Sequence, residues 1–144
     1  MTPHEVTSGE APPKWLSRHT PEGWIRQGLT ELARAESALK SHNRAAGVLG
    51  LRRAAGMALN GALSISFRAW GRTYVEHVRA AAEDASVPGA VREAARLLNE
   101  IELDRIPNVV RLTPPSENAR WVEAAKTVMA HAYAVVHGSA GRAR

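Results

Sequence analysis

The sequence predicts an all-α protein, folded as an antiparallel up-and-down bundle of four main helices plus a short extra helix. Apolar residues recur at intervals of three and four along most of the 144-residue chain, which is the period of a helix with one buried face. Proline, glycine and short polar residues separate these stretches, and such short connections favour antiparallel neighbours. No stretch alternates apolar and polar residues as a half-buried strand does.

The first helix is predicted to begin at Thr20, which can cap it and is followed by a proline and an acidic residue. Its buried stripe is predicted to consist of Ile25, Leu29, Leu32 and Leu39. Glu36 lies inside this stripe, and an unpaired carboxylate is expensive to bury. We therefore expect Glu36 to find a partner or to be partly exposed to water, and Arg52 or Arg53 on the next helix could supply a structural ion pair.

The second helix is predicted to run from a cap at Asn43 to about Trp70, with Gly71 ending it. Apolar residues cover most of its circumference, and such a helix belongs in the middle of a bundle. Each glycine inside it costs about 1 kcal/mol of helix propensity relative to alanine. The expected benefit is the close approach of a neighbouring helix, at Gly47, Gly50, Gly56 and Gly61.

The remaining helices are marked by their boundary residues. Thr73 is predicted to cap the third helix, and Pro88 to begin a short fourth one. Residues 106–115 contain three prolines and are predicted to be extended. The last helix is predicted to begin at Ser116 and to stop at Gly138.

These elements divide the chain into a flexible N-terminal arm over residues 1–19, a helical bundle over 20–138 and a flexible C-terminal tail over 139–144. The formal net charge is +5, and part of that excess lies in the two tails. A modest basic excess is more often a solvated surface than a nucleic-acid footprint. The net charge alone therefore does not identify a partner.

Several classes of protein are excluded or disfavoured by what the chain lacks. It has no cysteine, which excludes disulfides, thiolate zinc sites and cysteine nucleophiles. Neither a signal peptide nor a membrane-spanning apolar stretch is found in it, so we expect a cytoplasmic protein without a membrane partner. No metal-binding histidine motif occurs, and the aspartates are only Asp84 and Asp104. We therefore expect no metal and no cofactor, and any catalysis would be metal-free.

Arg72 and His77, at the start of the third helix, form the one pair of residues that suits metal-free RNA cleavage. Histidine titrates near neutral pH, so His77 is the candidate general acid/base. The charged guanidinium of Arg72 is the candidate group that stabilises extra charge on phosphorus. Helical spacing places His77 at the edge of the buried face, where it could line a groove. The alternative is a structural arginine followed by a half-buried histidine.

Four further arginines are candidate contacts for the phosphates of a nucleic acid. They are Arg44, Arg52, Arg53 and Arg68, on or after the second helix. A solvated face is the alternative explanation for this group.

From about Trp24 to His137 the chain resembles HEPN domains, which are helical bundles named for higher eukaryotes and prokaryotes nucleotide-binding. The segments that carry the resemblance are the opening helix GWIRQGLTELARAESALKSH, the small-residue-rich AAGVLGLRRAAGMALNGAL, the turn into YVEHV, the segment VVRL and the closing helix WVEAAKTVMAHAYAVV. The bundle of residues 20–138 is therefore expected to be HEPN-like.

The resemblance implies two functions, which stay open at this point. Many HEPN proteins are metal-independent endoribonucleases of toxin type, with an Arg and a His a few residues apart in a cleft between two protomers, and Arg72 and His77 resemble that pair. On that basis we expect RNA or nucleotide binding, a homodimer and an antitoxin-like protein partner. Other family members lack the motif and act as non-catalytic modules for protein interaction or dimerisation.

Overall fold

The computed structural model describes residues 12–103 and 115–142, and beyond residue 138 it describes the backbone alone. The described residues form helices and no strand, which confirms the all-α prediction. In chain order the elements are the 3-10 helix η1 (Lys14–Arg18) and the α-helices α1 (Pro21–Lys40), α2 (Arg44–Ile65), α3 (Tyr74–Glu83), α4 (Gly89–Glu100) and α5 (Pro115–Arg142).

Helix α1 begins as predicted but buries a different stripe. The Thr20 hydroxyl accepts a hydrogen bond from the backbone N–H of Gly23 at 2.9 Å, which confirms the cap. Ile25, Leu32 and Leu39 are buried, whereas Leu29 is 53% exposed and does not belong to the stripe. Gly28 is buried in its place, facing α2. A glycine fits there because a Cβ would lie only 2.9 Å from the carbonyl oxygen of Ala54.

The predicted partner of Glu36 is also wrong. Glu36 is half-buried and forms no ion pair with any residue that the structure describes. Glu31, about one turn earlier, accepts instead from the Arg53 guanidinium at 2.9 Å and from Arg34 at 3.1 Å. An ion pair at the edge of the α1–α2 contact therefore replaces the buried pair that the sequence pattern suggested.

Helix α2 is the central helix, as predicted. It contacts η1 and each of the other four α-helices, and most of its side chains are buried. The Asn43 side chain caps it, but the helix ends at Ile65 and not near Trp70. Trp70 lies in the connection to α3, where its indole N–H donates to the Asp84 carboxylate at 3.2 Å. Gly71 therefore belongs to this connection, with a φ of 95°, and does not terminate α2.

Both predicted tails contain helical residues. Residues 14–18 form η1, where Leu16 is 1% exposed and its carbonyl accepts from the Trp24 indole at 2.7 Å. Helix α5 continues through Arg142, so Gly138 does not stop it. Residues 1–11, most of the segment 106–115 and residues 143–144 lie outside the described residues.

No helix in the described part of the chain is long and apolar enough to cross a membrane. Across residues 12–103 and 115–138, no cluster of three or more histidine and acidic side chains could hold a metal ion.

Candidate functional site

His77 lies in the protein interior, which corrects the prediction that it lines a groove at the edge of α3. The Thr73 hydroxyl caps α3 by accepting from the backbone N–H of Glu76 at 3.1 Å. One turn into the helix, the His77 side chain is 0% exposed. Its Nε2 lies 2.8 Å from the carbonyl oxygen of Gly71. A carbonyl only accepts, so Nε2 carries the proton and donates it to this bond.

The aromatic ring of Trp15, from η1, covers the imidazole of His77. The two rings stack with their centroids 5.7 Å apart and their planes 15° from parallel. The second nitrogen, Nδ1, has no hydrogen-bond partner among the described residues. Burial lowers the pKa of His77, and the Gly71 carbonyl and the Glu76 carboxylate offset only part of that effect. His77 is therefore neutral at pH 7 in this arrangement.

Arg72 lies at the protein surface, whereas its predicted catalytic partner His77 is buried. The Arg72 backbone N–H donates to the Glu76 carboxylate at 3.0 Å, which fixes the main chain before α3. Its guanidinium forms no ion pair with a described residue and is exposed. A general acid/base must come within hydrogen-bond reach of its substrate. His77 has no such access while Trp15 covers it.

Arg52, one of the four predicted phosphate contacts, is committed to the end of α4. Its guanidinium donates to the carbonyls of Leu98 at 2.8 Å and Ile101 at 2.6 Å. These carbonyls lie at the last turn of a helix, where the backbone has no partner of its own. Burial, and to a smaller extent the charge of Arg44, lower the pKa of Arg52. It stays charged at neutral pH because its ordinary pKa is so high.

The other three predicted phosphate contacts also have intramolecular partners. Arg53 pairs with Glu31 and Arg68 with Asp84, the latter at 3.5 Å. Arg44 lies over the ring of Trp121, 5.3 Å from its centroid, in cation–π geometry. An extended RNA surface built from these arginines would have to compete with each of these contacts.

A cleft of about 290 Å³ opens between η1, α1, α2 and the beginning of α3, and we call it the η1 cleft. Of the residues that line it, Arg72 alone was among the predicted site residues. Its principal lining residues are Trp15, Arg18, Trp24, Asn60, Arg72 and Tyr74.

Asn60 is the least expected member of this cleft. It lies inside α2 and is 2% exposed, yet its side-chain oxygen has no hydrogen-bond partner among the described residues. Leaving such a group unpaired in the interior costs about 1–3 kcal/mol. An asparagine among small and apolar residues, in a helix predicted to be central, is the signal that could have identified it from the sequence.

The η1 cleft combines three kinds of chemistry. Arg18 and Arg72 supply positive charge, and neither guanidinium forms an ion pair with a described residue. Trp15 and Tyr74 supply aromatic rings, and Asn60 supplies an acceptor that is unpaired but buried. A ligand that is both anionic and planar would suit the arginines and the aromatic rings.

Comparison with family models, with curated proteins and with solved structures finds no significant match to this chain.

Proposed function

We propose that this protein binds a nucleotide, free or as part of an RNA, in the η1 cleft, and that it does not cleave RNA while Trp15 covers His77. The observation that carries the proposal is the pair Arg18 and Arg72, which line the cleft beside aromatic rings and whose guanidinium groups form no ion pair with a described residue. Guanidinium groups bind phosphate oxygens through charged, directional hydrogen bonds. Aromatic rings stack on nucleobases.

The buried position of His77 supports binding over catalysis. Metal-free cleavage needs a group that moves a proton at the ribose 2′-hydroxyl, and such a group must touch it. His77 Nε2 is held by the Gly71 carbonyl, and Trp15 covers its ring face. A HEPN-like bundle, a homodimer and an antitoxin-like partner belong to the same proposal and rest on the sequence resemblance. The up-and-down topology and a cytoplasmic location also belong to it and rest on the sequence pattern.

The test is a binding titration with AMP and with a 5′-phosphorylated single-stranded RNA, on the full chain in EDTA. We expect Arg72→Gln to weaken binding about tenfold or more, because a hydrogen bond to a charged group contributes about 1.5–3 kcal/mol and 1.4 kcal/mol is a factor of ten. Arg79→Gln is the matched control: Arg79 is exposed on α3, the helix that Arg72 precedes, and its loss removes the same charge outside the cleft.

Two results would contradict this proposal. Equal weakening by both arginine variants would mean that binding depends on net charge and not on the cleft. No binding of AMP or RNA at all would mean that the cleft is not a nucleotide site. The same RNA, recovered after incubation, checks the second half of the proposal. Cleavage that persists in EDTA and disappears in His77→Ala would show that the Arg72–His77 pair is catalytic after all.

A further inference from the structure

We infer that the exposed surface shared by α1 and α5 binds a second copy of this chain; this inference rests on the homodimer in the proposed function and does not require nucleotide binding. Leu29 of α1 and Tyr133 of α5 are the most exposed large apolar side chains in the described part of the chain, at 53% and 52%. Large apolar side chains that lie together at a surface mark interaction sites.

Helices α1 and α5 lie side by side and run antiparallel. At one end of the pair, the Glu22 carboxylate lies 3.9 Å from His137 Nε2. At the other end, Glu36 and Lys126 line a groove of about 500 Å³ between the last turns of α1 and the first turns of α5. The surface that the two helices share therefore extends along most of α1.

Leu29 and Tyr133 both lie on this shared surface. Leu29 is seven residues before Glu36 on α1, and Tyr133 is seven residues after Lys126 on α5. Seven residues are about two turns, which returns a side chain to the same side of its helix. We call this surface, together with the groove, the α1–α5 face. Its exposed apolar centre consists of Leu29, Ala33, Ala130 and Tyr133.

The charges at the groove end of the α1–α5 face complement the same face of a second copy. Helix α1 contributes Glu36 and Lys40, and α5 contributes Glu123 and Lys126. None of the four forms an ion pair with a residue that the structure describes. A two-fold axis parallel to the helices lays α1 of each copy over α5 of the other at the same level. Glu36 and Lys40 then face Lys126 and Glu123 of the second copy.

The size and composition of the α1–α5 face also suit a second copy. Helix α1 has 20 residues, so it is about 30 Å long at about 1.5 Å per residue. Two helices of about 10 Å diameter side by side give a face of roughly 600 Å², near the ~800 Å² that each partner of a stable interface buries. Tyr133 suits a central anchor, because its ring packs against His137 with the centroids 3.9 Å apart and loses little freedom on binding.

Sedimentation equilibrium of the full chain over a range of concentrations measures this dimer. We expect Leu29→Glu to raise its dissociation constant about a hundredfold or more, because the substitution buries a charge in the apolar centre and occurs twice in a two-fold dimer. Leu49→Glu is the matched control, since Leu49 is 44% exposed on α2 and does not belong to the face. Both leucines are exposed, so both variants should fold, and the control should dimerise like the unaltered protein.

A charge exchange tests how the two copies are oriented. Glu36→Lys and Lys126→Glu each leave an excess of two like charges at the groove end of both faces, so each variant should dimerise more weakly than the unaltered protein. An equimolar mixture of the two variants brings opposite charges together, and it should form a mixed dimer about tenfold or more tighter than either variant alone. An effect inside one chain cannot produce this rescue, because each chain keeps its own unfavourable charges.

The outcomes separate the interface from the rest of the proposed function. A monomer at every concentration would overturn both the homodimer and this interface. A dimer that Leu29→Glu leaves intact, that Leu49→Glu disrupts equally, or whose charge variants show no rescue in the mixture would overturn the interface alone. Leu29 does not line the η1 cleft, so Leu29→Glu should bind AMP like the unaltered protein. A dimer that binds no AMP would therefore contradict the nucleotide site and leave the interface standing.

Discussion

Two faces of α2 differ sharply although adjacent residues define them. At Gly61 the helix meets α1 so closely that a Cβ would lie 2.7 Å from the Pro21 carbonyl oxygen. At Asn60, about 100° round the helix, it meets a cleft with an unpaired acceptor. The first face is dense packing of the kind that stabilises a fold. The second retains polar groups that cost stability, and such exceptions cluster at functional sites.

The largest expected effect comes from disturbing the packed face. Gly61→Ala places a methyl group against the Pro21 carbonyl, which is backbone and cannot rotate away. We expect the free energy of unfolding to fall by about 1–3 kcal/mol, the usual cost of overpacking. The gain in helix propensity, about 1 kcal/mol, is the smaller term. Chemical denaturation of the full chain measures the change.

Gly138→Ala is the control for that prediction. Gly138 is exposed inside α5, and nothing lies within 4 Å of where its Cβ would be. This substitution should therefore stabilise the protein by about 0.5–1 kcal/mol through helix propensity alone. A stabilising Gly61→Ala of the same size would mean that α1 and α2 are not in the close contact described.

The fold could be predicted from the sequence to the extent that local chemistry determines it. The caps at Thr20, Asn43 and Thr73 are confirmed because each depends on a side chain and a backbone N–H only three residues away. The predictions for the end of α2 and for the burial of Leu29 were wrong, because both features depend on contacts with other parts of the chain.

The candidate site was harder to predict because residues distant in the chain form it. The arm before α1 resembled a flexible tail in composition, yet Leu16 fills a buried position and Trp15 covers His77. Nothing local to α3 indicates that a ring from residue 15 will stack on its histidine. Spacing alone likewise could not show that Arg52 is used to cap α4.

A smaller effect, on the pH dependence of stability, tests the burial of His77 in α3. Burial lowers the pKa of His77 below its ordinary value of 6.5, so the unfolded chain takes up the proton first as the pH falls. The contribution of neutral His77 is complete above about pH 6.5 and is lost progressively below it, by at most about 1.4 kcal/mol per pH unit for one proton. His77→Leu should show a shallower decline between about pH 6.5 and 5.

Denaturation curves at several pH values provide this measurement. His131 is half-buried and its pKa is also lowered by burial, so some decline should remain in His77→Leu and should diminish further when His131→Gln is added. If His77→Leu loses stability with falling pH as steeply as the unaltered protein, His77 is not the buried neutral group described.

The indole N–H signals of the four tryptophans give the most direct test of the nucleotide site. Trp15 and Trp24 line the η1 cleft, whereas Trp70 and Trp121 lie elsewhere in the bundle. In a nitrogen–proton NMR titration with AMP, we expect the signals of Trp15 and Trp24 to shift and saturate together, while the other two stay in place. Shifts confined to Trp70 and Trp121, or no shift at saturating AMP, would contradict nucleotide binding in this cleft.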